Sequence, residues 1–207
     1  MTQMIKYWID RYSRQGARTV GHVSFSESDL DARTEEVHRR WGGLLKENLG
    51  GAKVLDFGCG VGRLSRVLVD SVGVSRICGT DVVPWAIEQA RKRVPEGEFR
   101  PIEQGGRIPF RSWDFDGVLS WTVLQHIPPA EIAVAAGEIV RVMASGACLF
   151  LYENTSALEG KEHIWFRSLS FYLELFEKHA TPFYIETVER FDGTDEVHSL
   201  VGLRKWS

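Results

Sequence analysis

Long basic runs and long apolar runs are both missing from this sequence. Lysine and arginine are scattered and the formal net charge is −3, so the chain offers no positive field for a phosphate backbone, and nucleic acid is not expected as a partner. The segment 1–9 includes Gln3 and Lys6, and no later apolar run approaches the roughly 20 residues that span a membrane. We therefore expect no signal peptide and no membrane contact, and we predict a cytoplasmic protein.

Cysteine is scarce as well. Cys59, Cys78 and Cys148 are odd in number, lie in or beside predicted strands, and do not have the spacing of metal ligands. We predict reduced, buried thiols. The histidines other than His126 show no ligand spacing either, so no metal is expected.

The sequence has 207 residues, of which 43% are hydrophobic and 26% charged, and it contains no internal repeat. These values are typical of one soluble domain, which we predict over residues 1–207. Three parts are distinguished within it: a helical extension that forms a cap or lid (1–51), a core of alternating strands and helices (52–153), and a helix followed by a β-hairpin (154–207).

Two helices are predicted in the extension. Apolar residues recur at four-residue spacing over residues 4–12, and a second helix begins at a cap formed by Ser28 or Asp29 and stops at Gly50-Gly51. The small, polar segment 21–28 between them predicts a hinge or lid.

Short apolar strands alternate with helical stretches from Lys53 onward, which is typical of a parallel sheet covered on both faces. Pro84 and Pro129 each suit the first turn of a helix. Two final strands joined through Asp192-Gly193 predict an antiparallel hairpin, unlike an ordinary dinucleotide dehydrogenase. The predicted strands are 53–57, 76–80, 98–102, 116–120, 147–152, 183–190 and 197–205, and the predicted helices after residue 52 are 62–70, 84–93, 129–143 and 162–179.

A glycine-rich loop follows the first strand. Gly58, Gly60 and Gly62 have no Cβ, so the backbone turns tightly and a ligand can lie against it at the amino end of the next helix. Asp56 lies near the end of an otherwise apolar strand, where an unpaired charge is costly. Either a cationic ligand or backbone donors stabilise this carboxylate, or it hydrogen-bonds its own turn.

A second acid, Asp81, closes the next strand. It follows the loop by about 20 residues, where an acid conventionally binds both ribose hydroxyls of a nucleoside. The alternative is that Asp81 caps the helix that begins near Pro84.

Four segments in this order resemble the successive motifs of class I S-adenosylmethionine-dependent methyltransferases: VLDFGCGVGRLS, GTDVVPWAIEQAR, FDGVLSWTVLQHIP and IVRVMASGACLFL. The resemblance covers Lys53 to Tyr152. It implies an α/β, Rossmann-like, mostly parallel sheet of strand order 3-2-1-4-5-7-6, with strand 7 antiparallel and helices on both faces. It also implies S-adenosyl-L-methionine as cofactor, S-adenosyl-L-homocysteine as product, and methyl transfer to O, N or C of a small molecule.

The family's cofactor contacts fall at three strand ends of this sequence. The residues assigned to the methionine part and the ribose, with their immediate neighbours, are Asp56, Gly58, Cys59, Gly60, Asp81 and Val82. The adenine contact falls on Glu103 or Gln104, shortly before Ile108-Pro109-Phe110. If it is Gln104, an amide replaces the usual acid of the family.

Two positions depart from the family pattern. Ala144-Ser145-Gly146 stands where the family commonly has Lys-Pro-Gly-Gly, so a less rigid turn is expected before the fifth strand. Arg63 occupies the third glycine position of the dinucleotide fingerprint, which argues against NAD.

The fourth strand runs out through Ser120-Trp121-Thr122 to Gln125-His126. Trp121 either forms a wall beside the sulfonium or the adenine, or packs in the core. His126 either acts as a general base for a hydroxyl acceptor, or caps or packs the following helix. A base is optional, because holding the acceptor in line with the S–CH₃ bond supplies most of the rate.

Substrate selection is expected in the first fifty residues and in 154–181. Both segments carry many aromatic side chains, which either line an apolar acceptor pocket or belong to the core. These aromatic residues are Tyr7, Trp8, Tyr12, Phe25, Trp165, Phe166, Phe171, Tyr172 and Phe176.

Two other functions stay open at this point. One is a methyltransferase-like module that binds a partner without catalysis, and the other is an NAD-binding oxidoreductase. A monomer or homodimer is expected.

Overall fold

The computed structural model describes residues 3–20, 26–103, 105–158, 163–189 and 196–207. The strands within these ranges are β1 (Lys53–Phe57), β2 (Arg76–Asp81), β3 (Glu98–Pro101), β4 (Phe115–Trp121), β5 (Met143–Asn154), β6 (Ala180–Glu189) and β7 (Val197–Lys205). They form a mostly parallel sheet of order β3-β2-β1-β4-β5-β7-β6, with helices on both sides. Strand β7 runs antiparallel to β5 and β6. The predicted fold class and strand order are confirmed.

The α-helices are α1 (Gln3–Gln15), α2 (Glu27–Leu49), α3 (Arg63–Val67), α4 (Pro84–Arg93), α5 (Ile132–Val142) and α6 (Leu169–Phe176). Two short 3₁₀ helices (Gly16–Val20 and Leu124–His126) and one π-helical turn (Leu68–Val72) accompany them. Within the described ranges no helix is both long enough and apolar enough to cross a membrane.

The chain forms two compact units, Met1–Gly105 and Gly106–Ser207. The single domain over 1–207 stays a prediction. In the first unit β1 pairs in parallel with β2, and β2 with β3. The buried stripe of α2 contains Leu30, Val37, Trp41 and Leu45, at helical spacing.

The start of α2 corrects the sequence prediction. Ser26, rather than Ser28 or Asp29, is the N-cap: its hydroxyl accepts from the backbone N–H of Asp29, whose carboxylate accepts from the backbone N–H of Ser26. This reciprocal capping box places the helix start two residues earlier. Of the predicted hinge, 21–25 lies outside the described residues and 26–28 belongs to the helix start.

The helix predicted over 62–70 is also different in detail. Only Arg63–Val67 is α-helical, and the chain continues as a π turn that ends at Val72. Gly73 closes this turn in a left-handed conformation, with its N–H bonded to the carbonyl of Leu68. The prediction therefore found the helical segment but not its widened second half.

In the second unit, the predicted element types are correct and several boundaries are wrong. Helix α5 begins at Ile132, so Pro129 lies in a turn before the helix, and α6 is confined to Leu169–Phe176 instead of 162–179. Strand β6 begins at Ala180 rather than Phe183. The connection through Asp192-Gly193 lies outside the described residues.

The turn predicted at Ala144-Ser145-Gly146 is wrong as well. Strand β5 starts at Met143, directly after α5. Residues 144–146 therefore lie inside this strand, in its irregular first part. The register with β4 jumps between the pairs Phe115–Met143 and Gly117–Cys148, and Gly146 has a left-handed φ of 74°. A bulge in the strand therefore replaces the expected turn.

The three cysteines are free and buried, as predicted.

Candidate functional site

The glycine loop after β1 is tied to the end of β2 by backbone hydrogen bonds. The N–H groups of Gly58 and Cys59 both donate to the carbonyl of Thr80, at 2.8 and 3.0 Å, and the N–H of Gly62 donates to the carbonyl of Cys59. Gly58, Gly60 and Gly62 have φ of 73°, 52° and 79°. The loop passes three times through the left-handed region, which a side chain disfavours, so the chain needs glycine there.

Asp56 is buried at the end of β1, with 3% of its surface exposed. The hydroxyl of Ser65 donates to its Oδ2 at 2.5 Å. Burial raises the pKa of Asp56 to about 6, the Ser65 hydrogen bond opposes this shift, and the nearby Asp81 adds to it. The hydrogen bond comes from α3 rather than from the turn at Asp56 itself.

Ser65 is a site residue that the sequence analysis missed. It lies nine positions beyond its partner and carries no signal in spacing or composition. Only the fold of the loop brings its hydroxyl back to β1.

Asp81 bridges the loop and the start of α4. Its Oδ2 accepts from the N–H of Gly60 at 3.0 Å, and its Oδ1 accepts from the N–H of Val83 at 2.9 Å. Burial raises the pKa of Asp81 to about 6, while hydrogen bonds from the backbone of Val83, Gly60 and Val82 hold it lower. Val83 is the N-cap residue of α4 and its own side chain makes no cap hydrogen bond, so Asp81 also serves the start of this helix. The ribose contact of Asp81 stays a prediction.

The two acids share their surroundings with Cys59. Burial raises the pKa of this thiol, and the charges of Asp56 and Asp81 raise it further. Cys59 is therefore close to both carboxylates and stays a protonated thiol. It acts as a small apolar filler rather than as a nucleophile.

Helix α1 covers this region through Tyr12. The buried ring packs in one apolar cluster with Val61, Val83 and Ala86, and Val82 lies against the same cluster. Burial raises the pKa of Tyr12, and the charges of Asp81 and Cys59 raise it further. From the sequence, Tyr12 belongs either to an apolar acceptor pocket or to the hydrophobic core. The structure places it in a core cluster with residues that follow Gly60 and Asp81 in the chain.

The adenine position is only partly described. Glu103 is exposed and follows Ile102, whose N–H donates to the backbone carbonyl of Asp81 at 2.9 Å. The alternative residue, Gln104, lies outside the described residues. Glu103 thus follows the chain segment that is bonded to the end of β2.

In the second unit, Trp121 ends β4 in an aromatic stack. Its ring is stacked on Tyr152 with centroids 4.2 Å apart and planes at 17°, and Tyr152 is stacked in turn on His198. Trp121 is partly buried. This supports the packing interpretation for one face of the indole, and a cofactor contact stays a prediction.

A buried acid on β5 organises the chain that follows β4. Glu153 is 1% exposed, and it accepts hydrogen bonds from the N–H groups of Val123, Leu124 and Gln125 at 3.0 to 3.1 Å. The hydroxyl of Ser120 donates to the same carboxylate at 3.3 Å. Burial raises the pKa of Glu153 to about 7, and these donors lower it.

Glu153 was not predicted, although the sequence carries a signal for it. An acid at the end of the apolar run LFLY is the same pattern that drew attention to Asp56. A charge buried at the end of an apolar strand is costly without partners, so the position of Glu153 indicates a residue with several hydrogen-bond donors around it.

His126 ends the 3₁₀ helix and is partly buried. Its Nδ1 lies 2.8 Å from the backbone carbonyl oxygen of His163. A carbonyl only accepts, so Nδ1 is the donor, and in the neutral ring Nε2 carries the lone pair. The geometry therefore fits a proton acceptor at Nε2. The bond to the carbonyl of His163 is a contact that the sequence did not predict, and packing against the helix after Pro128-Pro129 stays a prediction.

The residues around the glycine loop suit the predicted cofactor. Asp56 and Asp81 are buried carboxylates whose pKa is raised, so a ligand ammonium or hydroxyl donors would stabilise their charged form. The carboxylate of Asp81 accepts from the backbone of Gly60, Val83 and Val82, and with about four acceptor positions it can still take a donor from a ligand. In the described residues no cluster of His, Cys, Asp or Glu could hold a metal ion.

Comparison with known proteins finds similarity to methyltransferases. A family model described as a methyltransferase domain matches residues 54–146. The chain is 30% identical over 135 residues to a 2-methyl-6-phytyl-1,4-hydroquinone methyltransferase of Synechocystis sp., covering 62% of this chain and 41% of that protein. It is 33% identical over 78 residues to an 18S rRNA (guanine(1575)-N(7))-methyltransferase of Saccharomyces cerevisiae, covering 38% and 28%. The match spans less than half of either relative.

Solved structures agree on the fold. The PH0226 protein from Pyrococcus horikoshii OT3 superposes with a TM-score of 0.70 at 18% identity, covering 95% of this chain and 98% of that protein. At this identity the likeness concerns the fold only.

Proposed function

We propose that this chain, which matches a methyltransferase domain over residues 54–146, is a class I S-adenosylmethionine-dependent methyltransferase and transfers the methyl group of S-adenosylmethionine to an O, N or C atom of a small molecule. The observation that carries the proposal is the pair of buried carboxylates, Asp56 and Asp81, at the ends of the adjacent parallel strands β1 and β2. Both flank a loop of left-handed glycines. In this proposal Asp56 serves the methionine ammonium, and Asp81 binds the ribose hydroxyls.

Cofactor binding uses residues of the first unit. Gly58 and Gly60 keep the loop backbone free of Cβ atoms, so the ligand approaches the main chain closely. Cys59 and Val82 complete the apolar walls, and Glu103 serves the adenine. Once bound, the cofactor supplies a methyl group that is already electrophilic, and the protein has to position and shield the acceptor.

His126 is the proposed base for a hydroxyl acceptor. Its Nδ1 donates to the carbonyl of His163, so Nε2 of the neutral ring carries the lone pair that would accept the acceptor's proton. In this proposal Trp121 contributes an aromatic wall, with its other face stacked on Tyr152. An acceptor without an ionising proton makes this base dispensable.

A small-molecule acceptor is favoured over RNA. The net charge of −3 and the scattered basic residues do not suit a phosphate backbone. The name of the Synechocystis relative gives a hydroquinone as its acceptor, and phenolic acceptors are therefore the first class to test.

Titration calorimetry with S-adenosylmethionine and S-adenosylhomocysteine tests the cofactor. The wild type is expected to bind both, and Asp81→Ala is expected to bind at least about tenfold more weakly, since charged hydrogen bonds are lost. Asp116→Ala removes an exposed acid on β4 and should bind as the wild type does. If the wild type binds neither ligand, the proposal fails.

Turnover separates an enzyme from a binding module. Transfer of a labelled methyl group to a hydroquinone or to a pool of small metabolites supports the proposal. Cofactor binding without transfer to any of these or to RNA would favour a non-catalytic module, and transfer to RNA alone would overturn the proposed acceptor class.

A further inference from the structure

The side chain before His126 is oriented by an independent contact. Gln125 is buried, and its Oε1 accepts from the backbone N–H of Asn154 at 2.8 Å. A backbone N–H only donates, so this end of the amide is the oxygen. The NH₂ group is then the end that faces the neighbouring imidazole, where Nε2 of Gln125 lies 3.3 Å from Nε2 of His126.

The protonation state of each ring nitrogen of His126 is thus assigned by a partner that can only accept or only donate. The carbonyl of His163 requires a proton on Nδ1, and the amide of Gln125 donates to Nε2. These two contacts select the same tautomer. The ring is held with its lone pair at Nε2.

The backbone around the imidazole is fixed from two sides. Glu153 holds the N–H groups of residues 123–125. Buried Arg167 donates to the carbonyls of Leu124 and Ile127, at 2.7 and 2.5 Å. The N–H of Trp165 donates to the carbonyl of Gln125 at 2.8 Å. The chain at residues 123–127 therefore has several partners beyond its own turn.

We propose that Gln125, anchored to Asn154, is a positioning residue that holds His126 with an unprotonated Nε2 and yields this nitrogen to the acceptor's hydroxyl. The proposal rests on the function proposed above, because it assigns His126 as the base. The Gln125 contact of 3.3 Å is long for a hydrogen bond, so a shorter bond from an acceptor hydroxyl can replace it. Asn154 keeps the amide in place during the exchange.

The amide also has an electrostatic role. A donor aimed at Nε2 stabilises the neutral ring and disfavours its protonation. Among the described residues, the charged groups bonded to the backbone of residues 123–127 are Glu153 on β5 and Arg167 before α6, and the titratable His163 contacts the ring through its carbonyl. The contacts of Glu153 and Arg167 do not assign the imidazole tautomer, whereas the Gln125 amide does.

The variant Gln125→Glu tests this role with almost no change in shape. One carboxylate oxygen can still accept from Asn154, and the other faces Nε2 and favours a proton there. The pKa of His126, measured by NMR titration of the ring, should rise by about 1. The pH of half-maximal methyl transfer should rise equally, while KM for the cofactor stays unchanged.

The matched control is Gln89→Glu, which adds the same charge on α4 and should leave the His126 titration unchanged. The ring nitrogen shifts of the wild type should show Nδ1 protonated and Nε2 bare, with the signals assigned through His126→Gln. An Nε2-protonated tautomer, or an unchanged pKa in folded Gln125→Glu, overturns the proposal. If the variant does not fold, an Nε2-protonated tautomer in the wild type still overturns the proposal.

These readings need neither cofactor nor turnover. The expected tautomer and titration in a protein that binds no S-adenosylmethionine would refute the proposed function and not this assignment. Methyl transfer by the wild type, together with an unchanged pKa of His126 in Gln125→Glu, would refute this assignment and not the proposed function.

Discussion

The hydroxyl of Ser65 donates to Oδ2 of Asp56 at 2.5 Å, and both side chains are buried. A donor of this kind stabilises the ionised carboxylate against the cost of burial. Because Ser65 lies on α3, the bond also joins the two ends of the glycine loop. The charge state of the acid and the closure of the loop therefore depend on one contact.

The substitution Ser65→Ala should weaken cofactor binding in a pH-dependent way. Removing the donor raises the pKa of Asp56 above about 6, so more of the carboxyl is protonated near neutral pH. The affinity for S-adenosylmethionine should fall about tenfold at pH 7 and recover toward the wild-type value at higher pH. Calorimetry at several pH values measures this.

The exposed Ser75 provides the control for this experiment, and Ser75→Ala should bind as the wild type does. A loss of affinity in Ser65→Ala that is the same at every pH would mean that the hydroxyl acts on loop geometry and not on the charge of Asp56.

Two glycines with left-handed φ in the first unit allow the stability cost of backbone strain to be distinguished from that of a packing clash. Gly62 (φ 79°) and Gly73 (φ 77°) have nearly the same conformation. A Cβ at Gly73 would meet nothing within 4 Å, whereas one at Gly62 would lie 3.1 Å from Cα and 3.2 Å from Cβ of Ala90. Gly73→Ala should lower the free energy of unfolding by about 1 kcal/mol, and Gly62→Ala by about twice as much.

Urea unfolding of the two variants gives the comparison. Equal losses would show that α4 shifts at no cost, and would contradict a tight contact between the loop and Ala90.

Glu153 should make folding stability depend on pH. Its pKa of about 7 in the folded state exceeds the ordinary value of about 4.3 in the unfolded state, so the folded state holds the proton more tightly. This contribution is complete below the unfolded pKa and is lost as the pH rises through about 7. Between pH 4.5 and 7.5 the wild type should lose on the order of 2 kcal/mol relative to Glu153→Gln.

Urea unfolding of the wild type and of Glu153→Gln at both pH values tests this prediction. The pH-dependent contributions of Asp56 and Asp81 to the free energy of unfolding cancel in the comparison, because both proteins contain these residues. Glu153→Gln should be less stable at acidic pH, since the amide cannot accept from all the donors. A stability difference that stays constant or grows toward high pH would contradict the assigned shift.

The sheet could be predicted from the sequence because each strand carries its own signal. Leu55, Cys78 and Val118 lie in short apolar runs between turns, and those runs are the strands of the structure. The strand order came instead from the family resemblance, because periodicity does not encode it. Boundaries failed where tertiary contacts decide them, as at Met143, where α5 ends and β5 starts without a turn.

The site was predictable where a residue conflicts with its surroundings. Asp56 and Asp81 are charges at the ends of apolar strands, and three glycines cluster between them. Ser65 shows no such conflict, because a serine is unremarkable in a helix. The tautomer of His126 was beyond reach for a different reason, since it depends on a carbonyl 37 positions away at His163.

The aromatic ring of Tyr12 inserts among side chains that flank the glycine loop and the first turn of α4. Shortening the chain at its amino terminus would therefore do more than trim a peripheral helix. It would uncover Val61 and Val83 to water and let the neighbouring backbone relax, so a ligand that needs this loop rigid would have to order it again during binding. By keeping the glycine loop ordered beforehand, the amino-terminal helix lowers the conformational entropy that a ligand of this loop would cost on binding.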